Sequence, residues 1–93
     1  MRLEAYTADR KLAKALNAYA TDTFGGATIV KGTGNSTRWG RERSYVVTSF
    51  TDRLPTLAKD LWINAIVHHI EDSSEDSVLV ALDNEHLFVE RTS

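Results

Sequence analysis

The hydrophobic residues change their period several times along the chain, and each change predicts an element. Arg2-Leu3-Glu4-Ala5-Tyr6 alternates over a few residues, which suits a short first strand. Thr7 or Asp9 then offers an N-cap for a helix reaching about residue 23. Within it Leu12, Leu16 and Tyr19 or Ala20 recur at helical spacing, with Lys11 and Lys14 off that stripe. Gly25-Gly26 supply the stop, since glycine accepts the left-handed conformation that closes a helix.

Ala27-Thr28-Ile29-Val30 reads as a strand through its β-branched residues. The stretch from Lys31 to Gly40 is rich in glycine, asparagine and serine and reads as a loop. Ser44-Tyr45-Val46-Val47-Thr48-Ser49-Phe50 is the clearest strand, bulky on both faces and therefore central in a sheet. Thr51-Asp52 offers a second N-cap region and Pro55 fits the first turn of a helix through about residue 70. Leu57, Ala58, Leu61, Trp62, Ala65, Ile66 and His69 form its broad apolar face, while Ile63, Val67 and Ile70 fall outside it. So little solvent-facing surface predicts a helix set against a sheet and a partner, or one unusually deep. After a short acidic turn, Glu71 to Asp76, come a strand over 77–82, a turn at Asp83-Asn84-Glu85 and a closing strand over 86–90.

The order is β-α-β-β-α-β with an extra C-terminal hairpin strand. Two β-α-β halves with right-handed crossovers predict an α+β fold, the ferredoxin-like α/β plait, as a single domain over residues 1–93. A chain of 93 residues excludes a two-domain enzyme.

Charge adds what the pattern does not contain. The net charge is −2. Residues 1–46 carry eight Lys/Arg and four Asp/Glu, a balance of +4, whereas residues 47–93 carry three and nine, a balance of −6. There is no cysteine, which excludes disulfides, thiolate metal sites and a thiol nucleophile. No apolar leader follows Met1 and no apolar run is long enough to span a membrane, so a cytoplasmic protein is expected.

The basic excess gathers in one stretch. Lys31, Arg38, Arg41 and Arg43 stand against Glu42 alone, with Trp39 among them and glycines at 32, 34 and 40. Arginine offers bidentate donors, glycine-freed backbone N–H groups can cradle an anion, and tryptophan offers a stacking face. These five residues, Lys31, Arg38, Trp39, Arg41 and Arg43, are the candidate ligand or partner site. The plainer reading is a solvated hairpin whose Trp39 folds back onto the sheet.

Other candidates carry less. Gly32-Thr33-Gly34 opens no helix and lacks the third glycine of a dinucleotide fingerprint. His68 and His69 are adjacent on a helix, about 100° apart, and do not share a metal as an i, i+4 pair would. Glu71, Asp72, Glu75 and Asp76 lack calcium-loop spacing. No serine sits in a nucleophile elbow, so no catalytic residues, metal or cofactor are expected. Tyr6, Tyr45 and Phe50 fall on the strands an RNA-binding plait would use, but the basic-aromatic motif of that mode is missing, and nucleic acid is the lesser partner.

The topology, with a long connection between the second and third strands entering through Trp39-Gly40-Arg41-Glu42-Arg43-Ser44-Tyr45-Val46-Val47, resembles the PII/CutA superfamily. That resemblance implies a trimeric plait whose connection carries ligand or partner contacts. The segment 76–82 departs from it, lacking the His-Pro-Tyr stretch of CutA-like members, so no metal or nucleotide residues carry over. The succession of Gly-Gly, strand, Gly-x-Gly, Trp-Gly-x-Glu, strand and helix, closing on Ser-Val-Leu-Val and a hairpin, is also similar to small phage and prophage proteins, which implies an accessory or host-directed role exercised by binding. The expectation is a non-enzymatic, homo-oligomeric binding module that contacts a small anionic ligand or an acidic protein surface. The alternative is a self-assembling protein held by its basic and acidic patches.

Overall fold

The computed structural model describes residues 1–36 and 40–92, with the side chains of residues 33–36 and 40–43 left aside. Its elements run β1 (Arg2–Thr7), α1 (Arg10–Phe24), β2 (Ala27–Ser36), β3 (Gly40–Phe50), α2 (Pro55–Ile70), β4 (Ser77–Leu82) and β5 (Glu85–Glu90). The five strands form one sheet in the order β2-β3-β1-β4-β5, with every neighbouring pair antiparallel. This is the α/β plait with an added edge strand. α1 lies over β1, β2 and β3, and α2 over β4 and β5, so both helices cover the same face.

Local chemistry sets the element ends. The Asp9 carboxylate accepts the Leu12 N–H at 3.1 Å and caps α1, while Thr7 Oγ1 accepts the Asp9 N–H at 3.0 Å. Gly25, with φ of 92°, closes α1 through its N–H to the Thr21 carbonyl. Asp83 also takes a positive φ, 52°, and with Asn84 makes the two-residue turn between β4 and β5. Arg91 donates to the carbonyls of Ile70, Glu71 and Ser73 and so satisfies the end of α2.

Three expectations change. The stretch from Lys31 onward is not a loop: β2 continues to Ser36 and β3 begins at Gly40, with Ser36 opposite Gly40. Each strand supplies the other's backbone partners, which overrides the low strand preference of glycine and asparagine. Secondly, Thr51 and Asp52 do not cap α2. The helix begins at Pro55, so Leu54 holds that position without a side-chain bond, and Thr51 Oγ1, upstream of it, accepts the Arg53 N–H at 3.1 Å instead. Thirdly, the buried stripe of α2 is Ala58, Trp62, Ala65, Ile66 and Ile70, while Leu57 is exposed. The spacing 62, 66, 70 follows one helix face, and Leu57 falls beside it.

The core lies between the helices and one sheet face, with Leu3, Leu16, Val47, Trp62, Val78 and Val80 fully buried. No helix among the described residues is long and apolar enough to cross a membrane.

Candidate functional site

α1 and the β2–β3 ribbon leave a groove between them. A cavity of about 300 Å³ there is lined by Arg10, Ala13 and Lys14 from α1, Ile29 and Lys31 from β2, and Tyr45 from β3. Arg10 and Lys14 are one helical turn apart and so share a face of α1. Lys31 follows Ile29 by two residues on β2, which puts both on the helix side of the sheet. Tyr45 is buried there, only 6% exposed, opposite Lys31 in the register.

All three cations are solvent-exposed, and among the described residues none of them has a carboxylate partner. Three positive charges surround one concave surface over a floor of alanine, isoleucine and tyrosine, an arrangement whose electrostatics would favour an anionic group. Arginine would grip a carboxylate or phosphate bidentately and the lysines would add point charges.

A second cavity of about 300 Å³ lies where α1 gives way to β2, lined by Phe24, Gly25, Gly26, Ala27, Thr28, Thr48, Ser49 and Phe50. It contains no ionisable side chain and offers an anion nothing beyond hydroxyl and backbone groups.

The structure treats the expected site residues unequally. Lys31 enters the groove. Arg38 and Trp39 lie outside the described residues. Arg41 and Arg43 are described by backbone alone, paired with Asn35 and Thr33 on the ribbon beyond Lys31. Sequence reasoning passed over Arg10 and read Lys14 only as a position off the apolar stripe of α1. The signal that reveals them is the right-handed crossover, because it lays α1 across the sheet next to β2.

Two of the four acids in the turn, Glu71 and Glu75, are used within the chain, and Asp9 ties α1 to the same turn. The Asp9 carboxylate accepts both the Ser74 N–H, at 2.8 Å, and the Ser74 hydroxyl, at 3.0 Å. These bonds, the Ser74 N–H foremost, hold the Asp9 carboxyl below its ordinary value against the opposing effect of partial burial. Glu75 accepts the Ala8 N–H and Glu71 pairs with Arg91. His68 and His69 meet edge to face at 5.0 Å, and burial, then its neighbour His68, lowers the His69 pKa. Tyr45 faces the helices and only Tyr6 and Phe50 reach the open sheet face, so the three aromatics expected for RNA stacking do not share a surface.

No family model and no curated protein matches the sequence. Among solved structures, a phage SAM lyase in its apo state is similar to this chain, with a TM-score of 0.64 at 16% identity, over 99% of this chain and 90% of that one. The chain therefore shares its fold with a small phage protein. The likeness does not extend to PII or CutA proteins in particular. It also corrects one expectation: the chain was expected to have no enzymatic activity, yet a plait of this form is the scaffold of an enzyme.

Proposed function

We propose that the chain binds a small anionic molecule in the groove formed by Arg10, Lys14, Lys31 and Tyr45. One observation carries this reading: three cations from two separate elements, without a carboxylate partner among the described residues, converge on a cavity of about 300 Å³. The setting that fits is the cytoplasm, with a phage-type protein acting on a small molecule of its host.

Thermal shift against inorganic phosphate, nucleotides, dicarboxylates and S-adenosylmethionine tests it, because a ligand of the folded state raises the melting temperature. At least one anion is expected to do so, with affinity falling as salt rises. Lys14→Ala and Lys31→Ala should each weaken that ligand about tenfold, equal to about 1.4 kcal/mol of charge-assisted bonding, and leave the melting temperature of the free protein nearly unchanged. A panel without any shift, or variants that bind as the parent does, would refute it.

A second reading is favoured by the likeness to the SAM lyase: S-adenosylmethionine is the ligand and is broken down. Its carboxylate is the group three cations would hold, and its sulfonium would have to point away from them. Incubation of the purified protein with S-adenosylmethionine, followed by chromatography, should show its consumption, with Lys31→Ala raising KM more than it lowers kcat. An undiminished substrate peak removes this reading and leaves anion binding to be judged by the thermal shifts.

A further inference from the structure

The groove between α1 and the ribbon holds a donor that the fold itself does not use. Tyr45 is only 6% exposed, yet its hydroxyl has no hydrogen-bond partner among the described residues. A buried tyrosine ordinarily finds one. Among the described residues, Asn17 Oδ1 and Arg91 Nε are the polar side-chain atoms shut off from solvent without a hydrogen-bond partner. The Tyr45 hydroxyl is not one of them, so it keeps an opening to the cavity that Tyr45 lines. We propose that the occupant of this cavity is a small phosphate monoester in its dianionic form, one oxygen of which accepts the Tyr45 O–H. This rests on the anion-binding reading above and adds to it the chemical class of the anion.

Three observations select a phosphate over a carboxylate. The first is charge. Arg10, Lys14 and Lys31 bring three positive charges to a cavity whose lining contains no acid. A carboxylate answers with one negative charge, a phosphate monoester with about two. The second is the set of donors. Four side chains on three elements line the cavity: Arg10 and Lys14 of α1, Lys31 of β2 and Tyr45 of β3. One arginine satisfies a carboxylate bidentately, which would leave both lysines and the hydroxyl unused. The terminal oxygens of a phosphate monoester have the lone pairs for a guanidinium, two ammonium groups and a hydroxyl together. The third is size. A cavity of about 300 Å³ stands at the lower end of small-molecule sites and suits a short ester.

Titration calorimetry on the full chain tests this, with phenyl phosphate, benzoate and succinate as probes. Phenyl phosphate is expected to bind about tenfold more tightly than either carboxylate at neutral pH, succinate serving as the doubly charged control. The cavity lining contains neither histidine nor carboxylate. Asp9, next to Arg10 in the chain, is held below the ordinary carboxyl value, by the Ser74 N–H foremost. Affinity should therefore follow the second ionisation of the ester itself, near about 6, and fall about tenfold between pH values of about 7.5 and about 5. Tyr45→Phe keeps the ring and removes a hydroxyl that the fold does not use. It should leave the melting temperature of the free protein nearly unchanged, weaken phenyl phosphate about tenfold and hardly alter benzoate. A carboxylate that binds as tightly as phenyl phosphate, an affinity indifferent to pH, or a Tyr45→Phe protein that binds as the parent does overturns the inference and leaves the anion-binding reading standing. Phenyl phosphate that does not bind at all also overturns it, and the wider thermal-shift panel then decides the anion-binding reading separately.

Discussion

Replacing Trp62 with alanine is expected to cost about 3–5 kcal/mol, the range for removing a buried aromatic from a core. The side chain is fully buried on α2 and ties three elements together. Its indole N–H donates to the Glu4 carbonyl of β1 at 3.2 Å, and its ring meets Phe24 of α1 edge to face at 6.3 Å. Phe24 in turn meets Tyr19 at 6.1 Å, and the Tyr19 hydroxyl returns to α2 through the Leu61 carbonyl at 3.2 Å. Trp62→Ala thus removes volume, an aromatic pair and the partner of a backbone carbonyl at one stroke. For a domain of this size each kcal/mol is worth about 4–8 °C, so a fall in melting temperature beyond about 12 °C is expected by circular dichroism. Trp62→Phe keeps most of the volume but not the donor and should fall between. A melting temperature within a few degrees of the parent for Trp62→Ala would mean that the junction of α1, α2 and β1 is not the centre of the core.

Trp62 also shows how much was legible in the sequence. Its place on the apolar stripe of α2 followed from helical spacing, because Trp62 and Ile66 repeat at i, i+4. Asp9 and Gly25 marked the ends of α1 for reasons local to those residues. The ribbon was less visible. Gly32, Gly34, Asn35 and Ser36 have no strand preference to show, and what extends β2 is its pairing with β3. Most of the groove was hidden for a related reason. Lys31 stood out in a basic stretch, whereas Arg10 and Lys14 acquire meaning only when α1 is laid beside a strand about twenty residues further on. The apolar alignment on the helix-free face of the sheet was equally hidden, since Val30, Val46, Tyr6, Leu79 and Phe88 come from five strands and are neighbours in register alone.

Asp9→Ala should produce the second-largest loss, about 2 kcal/mol at neutral pH, and its pH dependence identifies the cause. Asp9 caps α1 through the Leu12 N–H and also anchors the α2–β4 turn through Ser74. Losing an N-cap alone costs about 0.5–2 kcal/mol, and the anchor adds to it. The carboxyl pKa is lower in the folded chain than in the unfolded one, so the unfolded state binds a proton more readily. The stabilisation is therefore complete above the unfolded value, near about 3.9, and drains away as pH falls through the folded one. Asp9→Asn keeps a capping oxygen and cannot titrate, so its stability should lie slightly below the parent at neutral pH and converge on it under acid. Asp9→Ala should remain below the parent in acid too, because its cap oxygen is gone. Denaturant melts of the three proteins from neutral to acid pH measure both gaps. A gap between the parent and Asp9→Asn that stays constant as the pH drops would show that the charge of Asp9 contributes nothing, leaving the cap and anchor as neutral hydrogen bonds.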